Sequence, residues 1–362
     1  MKIIFFTSSY KIGLTAQLTE QAICFSKGSE ANFLFLSGEK EQFPGLFNRL
    51  SHEKIPYVTI TGLDDHADFG RLVTELKTLV AAKSPDWLTV HTNWQLAIAV
   101  TTKFLSTKKF RILYIMHGYR HNYRYRSIIA RALIGTALYL FADAVITPSS
   151  FLKNKFSFLG RKNNNIFIGE DETLFDSHPL PDFTGTKRLV FPGEFRSGKN
   201  QDMLIRAVKR YIEASGDSDI ELYLPGKGER LEECRAICCE LSMQDHVHFP
   251  GFINRSEMLD LYLKCQYALI SSNVETFGHC IAEPFILGRL IISRHVGVAD
   301  DIIRPGETGF FFNDENDLVE VLLRVLPDQA LCARVTANAR KERDQFRWDS
   351  ICQQHFDLVY NT

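Results

Sequence analysis

The chain is short of the features that would place it in a membrane, on the secretory route or around a metal. Its one long apolar helix candidate, Ile128 to Phe141, is interrupted by Arg131 and followed by Asp143, so the unbroken part is too short to span a bilayer. Behind Lys2 only Ile3 to Phe6 is apolar before Thr7-Ser8-Ser9, too little for a secretory signal, and a cytoplasmic chain is expected. Eight cysteines are scattered with no paired Cys-x2-Cys sets, so reduced thiols are expected and a zinc site is not. No Gly-x-Gly-x-x-Gly follows the first apolar strand, which argues against a dinucleotide-dependent oxidoreductase. No Asp-x-Asp pair stands in a context suited to a metal, and no nucleic-acid module is recognisable. Internal repeats and low-complexity segments are absent too.

What is present is a folded α/β chain of 362 residues, room for two domains of ordinary size. Hydrophobic content of 45% against 23% charged fits a globular enzyme. Short apolar strands alternate with helical patterns: strands over 2–6, 32–36, 57–60, 88–90, 110–116 and 144–147, then 189–191, 220–224, 247–252, 268–270 and 290–292. Helices are expected between them, over 16–25, 68–82, 97–105, 128–141 and 203–214 among others. That alternation predicts doubly wound parallel sheets. The Pro- and Gly-bearing stretch 176–187 reads as an interdomain linker, giving domains over 1–178 and 188–345 and a last helix over 346–362.

One stretch organises the second half: Ser271-Ser272-Asn273-Val274-Glu275-Thr276-Phe277-Gly278-His279-Cys280-Ile281-Ala282-Glu283-Pro284. An apolar strand leads in and a helix starting near Gly278 leads out. Such a turn aims backbone N–H groups and a helix dipole at a crevice beyond the strand's carboxyl end, a place suited to a diphosphate. Glu275 falls in the loop and Glu283 about two helical turns later, one to meet a sugar hydroxyl and the other a ribose diol. Upstream, Arg196 and Lys199 share a strand–helix loop with Gly193 and Gly198, a phosphate-binding arrangement.

The pattern Ser-x-x-Glu-x-Phe-Gly…Ala-Glu-Pro resembles the Glu-x7-Glu signature of glycosyltransferase family 4, retaining enzymes of the GT-B fold. The resemblance covers the whole chain, more closely from residue 188 on. It implies two Rossmann-like domains facing a cleft and transfer of a hexosyl or N-acetylhexosaminyl unit from a nucleotide sugar, with a UDP-sugar expected. It implies retention at the anomeric carbon with no metal and no cofactor. By the same resemblance Lys199, Arg196 and the backbone at Gly278 face the diphosphate. Glu283 takes the ribose, while Glu275 and the neighbouring Phe277 belong to the donor-sugar loop. Gly226, in Pro225-Gly226-Lys227-Gly228, matches a turn lining the nucleotide, and Phe252 lies in the segment that meets the base. Gly13, at the first strand–helix turn, matches a loop facing the donor phosphates. His117 ends an apolar strand and matches the histidine that orients a sugar hydroxyl; His91 is a second candidate, read as structural. The chain departs from the family pattern with Glu194 where an arginine is common, Ile168 for Asn, and a single glycine at Gly297.

Charge is uneven. Residues 1–180 carry 21 Lys+Arg against 15 Asp+Glu, and residues 181–362 carry 21 against 28. Residues 103–162 hold twelve cations and one acid, Asp143, with Tyr119, Tyr123 and Tyr125 among the arginines. Beside an apolar helix this composition suits an anionic membrane surface and a lipid-linked glycan acceptor, hence a peripheral protein at the inner face of the cell membrane, in cell-surface polysaccharide synthesis (O-antigen, lipopolysaccharide or capsule). It suits nucleic acid less well. A nucleotide-sugar epimerase of the same fold, or a non-catalytic lipid- or glycan-binding protein, are the alternatives. Sugar transfer to a glycan would separate them.

Overall fold

The computed structural model describes residues 1–8, 30–36, 57–60, 69–117 and 126–362, with positions 20, 21, 23, 51, 52 and 54 besides. Gly13, most of the helix expected over 16–25, and the arginine–tyrosine stretch 118–125 lie outside the described residues. The chain divides into two compact units. The first comprises Met1–Pro148, Leu152–Gly169 and Trp348–Thr362; the second comprises Ser149–Phe151 and Glu170–Arg347.

The first unit is a seven-stranded sheet. Its strands are β1 (Lys2–Ser8), β2 (Glu30–Leu36), β3 (Tyr57–Ile60), β4 (Trp87–Val90), β5 (Arg111–Ile115), β6 (Ala144–Thr147) and β7 (Asn163–Asn165). Their order is β3-β2-β1-β4-β5-β6-β7, and every pair is parallel. Side chains alternate between two apolar layers. Ile4, Leu88, Val90, Ile112, Tyr114 and Val145 meet the helices Phe69–Lys83 and Asn93–Leu105 on one face. Ile3, Trp87, Leu113, Ile115 and Ile146 face the other way, where Ile351 and Val359 of the helix Trp348–Asn361 join them. The indole N–H of Trp87 donates to the Val359 carbonyl at 3.2 Å.

β7 was not legible as a strand, because three asparagines lack the apolar alternation a strand pattern needs. It forms because Asn163 is satisfied by its surroundings. Its amide donates to the carbonyls of Lys153 and Phe156, and its oxygen accepts from the Thr147 hydroxyl.

The second unit is six-stranded: β8 (Lys187–Val190), β9 (Ile220–Tyr223), β10 (Val247–His248), β11 (Tyr267–Ile270), β12 (Leu290–Ser293) and β13 (Phe310–Phe311). The order is β10-β9-β8-β11-β12-β13, again all parallel. The helix Gln201–Ser215 covers it with Leu204, Ile205, Val208 and Tyr211 buried. The helix after the central stretch, His279–Ile286, ends sooner than its apolar pattern suggests. Gly288, at φ 70°, turns the chain and starts β12 two residues later.

The stretch 176–187, expected as a linker, is part of the second unit. Polar side chains staple it there. Gln266 donates to the carbonyls of Asp182 and Thr186, Arg340 to that of His178, and Arg289 to that of Pro179. Phe183 is buried against the Tyr267 ring.

Six cysteines are free thiols, among them Cys234, Cys238 and Cys265. Cys352 is disulfide-bonded, which corrects the expectation of reduced thiols throughout. Spacing along the chain does not reveal a pairing that depends on tertiary packing. Among the described residues no helix is long and apolar enough to cross a membrane.

Candidate active site

In the second unit the strand order reverses between β8 and β11. Connections leave these two strands toward opposite faces, so a crevice opens beyond their carboxyl ends. Two loops line it, 191–200 after β8 and 271–278 after β11, and they are stitched together. The Ser271 hydroxyl donates to the Lys199 carbonyl at 2.6 Å, and the Asn273 N–H to the Gly198 carbonyl at 2.7 Å. The Asn200 amide reaches both the Ser271 carbonyl and the Asn273 side chain at 2.8 Å.

Inside this frame Lys199 meets Glu275. The ammonium donates to Glu275 Oε1 at 2.5 Å, and the Ser272 hydroxyl donates to the same oxygen at 2.6 Å. Both charged side chains are largely buried, at 11% and 13% exposure. Burial works against the charge on Lys199, yet its pKa stands above the ordinary value. The Cys280 sulfur and the Glu275 carboxylate are the neighbours that reverse it. Burial pushes the Cys280 thiol itself far up, so that sulfur stays neutral and Glu275 is the effective counter-ion. A buried, hydrogen-bonded ion pair of this kind is held in one geometry.

The chain then turns into the helix His279–Ile286 through Gly278 at φ 95°, a conformation that favours glycine. Pro284 lies inside this helix and Glu283 points back toward its first turn, where His279 stands four residues earlier. Glu283, Glu170 and His279 gather there, each offering a ligand atom within 4.8 Å of the others. Burial first, and then the Glu170 carboxylate, raise the Glu283 carboxyl to about 7. His279 Nδ1 lies 2.7 Å from Glu170 Oε1. Desolvation opposes charge on this imidazole, but the Glu170 carboxylate outweighs it and holds the group up at about 9. Such a set could accept a cation, but as a hydrogen-bonded pair His279 and Glu170 already balance each other's charge with a proton. The two glutamates of the central stretch thus sit in unlike settings. Glu275 is clamped by an ammonium and a hydroxyl, whereas Glu283 is half-buried beside another carboxylate.

The other expected residues fall in three groups. Arg196 ion-pairs with Glu194 at 3.2 Å on the surface, yet stands near enough to Lys199 to disfavour its charge. Phe252 is 74% exposed beyond β10, with the Lys227 ammonium 5.0 Å from its ring centre. A flat apolar face open to solvent there can stack a base. Two residues are closely packed within the unit. Phe277 is buried against Phe346. Gly226 has no room for a side chain, because a Cβ would lie 2.0 Å from the Gly193 carbonyl oxygen. Its turn braces the loop after β8, with Gly193 N–H donating to Pro225 and Phe195 N–H to Lys227.

In the first unit His117 follows β5 and His91 follows β4, and their Nε2 and Nδ1 atoms lie 2.9 Å apart. The backbone around His91 is fixed by a capping box. Thr92 accepts from the Gln95 N–H, and the Gln95 side chain accepts from the backbone N–H groups of His91 and Thr92. Burial first, then His117 and His355, hold the His91 pKa well below its ordinary value, so His91 is neutral. Glu170 and His279 were missed by sequence reasoning. The four-residue spacing of His279 and Glu283 on one helix was the available signal; the approach of Glu170, over a hundred residues away, had none.

Residues 173–342, a little under half of the chain, match the sequence model of the glycosyl transferases group 1 family. An uncharacterized glycosyltransferase of Methanocaldococcus jannaschii is 26% identical over 171 residues, which cover 46% of this chain and 43% of that protein. The chain spans about half the length of the curated relatives it matches. Among solved structures, Anabaena HepE in complex with UDP is similar over 100% of both chains, with a TM-score of 0.80 and 18% identity. The lipopolysaccharide outer core galactosyltransferase WaaB in its apo form is similar over 100% of this chain and 99% of that one, with a TM-score of 0.78 and 17% identity. These likenesses give the fold: two Rossmann-like units of the GT-B kind. The loops that line the crevice lie within the residues that match the group 1 glycosyl transferase model.

Proposed function

We propose that the protein is a retaining glycosyltransferase that moves a hexose or N-acetylhexosamine from a UDP-sugar to a glycan. The observation that carries this reading is the Lys199–Glu275–Ser272 constellation in the crevice between β8 and β11. Its address within a group 1 domain, and the UDP bound by a protein of like fold, support it. In the proposed reaction the bond from the sugar C1 to the diphosphate oxygen breaks, and both electrons leave with that oxygen. The acceptor hydroxyl oxygen bonds C1 from the same face, and its proton passes to the departing diphosphate. Lys199, Arg196 and the N–H groups beyond Gly278 stabilise the charge that develops on the diphosphate. They do so without a metal in this reading. Glu275 steadies the donor sugar and its positive ring, and Glu283 takes the ribose hydroxyls in its ionised form. His117 orients a sugar hydroxyl. The acceptor is a lipid-linked glycan of a cell-surface polysaccharide such as O-antigen, lipopolysaccharide or capsule, met at the inner face of the cell membrane.

The test is incubation of the purified chain with UDP-sugars and a lipid-linked glycan, with the product linkage read by NMR. Formation of UDP and an α-linked product from an α-linked donor is expected. Release of a free epimerised sugar, or inversion, would replace the reading.

A further inference from the structure

The first unit carries a second surface, at the end of its sheet away from His117. A cavity of about 850 Å³ opens at the amino ends of β4, β5 and β6, lined by Lys103, Phe104, Lys108, Lys109, Leu140 and Phe141 among others. Apolar side chains continue outward from it. Nine large apolar side chains are exposed among the described residues, and six of them are Phe104, Leu105, Leu133, Tyr139, Leu140 and Phe158. They are connected. Phe104 packs edge-on against Phe141, and Phe158 lies against Gly135. On the helix Arg126–Phe141 the exposed positions from Ala132 on are Ala132, Leu133, Thr136, Tyr139 and Leu140. That is one helical face with no charge on it, where a helix on a soluble protein presents its polar side.

The rim is cationic, and its acids are already engaged. Asp143 accepts from the Lys103 ammonium at 2.9 Å and from the Ile112 N–H at 2.8 Å. Asp86 accepts from the Lys2 N–H at 2.8 Å. Lys108, Lys109 and Arg161 are exposed, and Lys162 lies over the Tyr139 ring while it caps the Tyr139 and Ala142 carbonyls. Exposed Lys108, Lys109 and Arg161, beside acids that are already engaged, call for an anionic occupant. The uncharged helical face calls for an apolar one. A bilayer carrying anionic phospholipid supplies both, with the lysine stems along the apolar surface and their heads among phosphates.

We infer that this cavity and helix face dock the protein on an anionic phospholipid membrane. The inference deepens the reading that the acceptor is lipid-linked and rests on it for its purpose, but the docking itself needs no donor. His117 ends β5 at its carboxyl end, whereas the cavity lies at the amino ends, so lipid here leaves that histidine uncovered.

The experiment is sedimentation of the full chain with phosphatidylcholine vesicles, with and without phosphatidylglycerol, and with inorganic phosphate as the free-anion control. UDP binding is measured on every sample. Binding only to anionic vesicles, weakened by salt and not competed by phosphate, is expected. Lys108→Glu with Lys109→Glu should lower partitioning at least about tenfold, since each cation near a charged bilayer contributes about a factor of five. Leu133→Ser with Leu140→Ser should remove the salt-resistant remainder. UDP binding should survive in both variants, which separates loss of docking from misfolding and from failure of the transfer reading. Equal partitioning of wild type and the lysine variant would overturn the inference. So would a concentration-dependent dimer lost with the leucine pair, which would make a second copy the occupant.

Discussion

The two units repeat one topology but end their switch strands in different chemistry. In each, the first strand lies between the second and the fourth, and the order runs outward from there: β3-β2-β1-β4-β5-β6 in one, β10-β9-β8-β11-β12-β13 in the other. In the second unit the loops at that point carry a buried ammonium–carboxylate pair, Lys199 and Glu275. In the first, the switch falls between β1 and β4; the residues after β1 lie outside the described ones, and His91 after β4, held neutral by burial, meets His117 from the neighbouring β5. A shared fold therefore supplies a crevice twice, and only the loops decide what it can hold. Full charges suit a diphosphate; imidazoles suit hydroxyls.

The largest test of that contrast is Lys199→Ala. It leaves Glu275 buried with no counter-ion, which should cost about 3–5 kcal/mol of stability. UDP affinity and transfer should fall together. The double variant Lys199→Met, Glu275→Gln should recover much of the thermal stability while UDP stays unbound. Recovery of UDP binding as well would break the assignment of charge to the second unit.

His117→Ala should act on the other side of the comparison. It should lower kcat by about 10²-fold if an oriented hydroxyl is lost from the transition state, with UDP affinity measured by calorimetry unchanged. A fall in UDP affinity would erase the division of labour.

A smaller effect is expected of Phe252→Ala. An exposed ring that stacks on a base should contribute about 1–3 kcal/mol to nucleotide affinity, by analogy with base–aromatic stacking elsewhere, and nothing to stability. An unchanged affinity for UDP would return Phe252 to ordinary surface.

The smallest effect is in pH. His279 is raised from 6.5 to about 9 in the folded chain, so its contribution to stability is present below 6.5 and is lost as pH rises through 9. Glu283 is raised from 4.5 to about 7, so its contribution is present below 4.5 and is lost as pH rises through 7. Both slopes run the same way: thermal stability declines into the alkaline range. Glu170→Gln should flatten the His279 part. UDP affinity should move oppositely and rise through pH 7 as Glu283 ionises. Parallel profiles for stability and affinity would mean that Glu283 does not take the ribose.

Legibility in the sequence followed the same division. Strands with apolar runs, such as Leu189–Phe191, Ala268–Ile270 and Leu290–Ile292, could be read directly, and so could the alternation that gives parallel sheets. So could the placing of Lys199 and Glu275 in the loops that follow β8 and β11. Contacts set by distant parts of the chain were not legible. Glu170 reaches His279 across 109 positions. Arg289 is buried and donates to the carbonyls of Leu287 and Pro179, which ties the supposed linker to its unit. The Asn163–Asn165 strand was hidden for a related reason, since side-chain amide bonds rather than apolar burial hold it. Phe277 looked like part of the binding loop because it neighbours Glu275, but its ring turns into the core.

A nucleoside diphosphate is expected to bind between β8 and β11 of the second unit and not beside His117 of the first. Thermal denaturation with UDP, GDP, ADP and NADH tests it most directly, on wild type, Glu283→Ala and His117→Ala. A ligand at a hundred times its Kd adds about 2.7 kcal/mol, an easily resolved shift in Tm. UDP is expected to stabilise wild type and His117→Ala and to leave Glu283→Ala unstabilised. Stabilisation by NADH alone, or UDP stabilisation that survives in Glu283→Ala and disappears in His117→Ala, would contradict it.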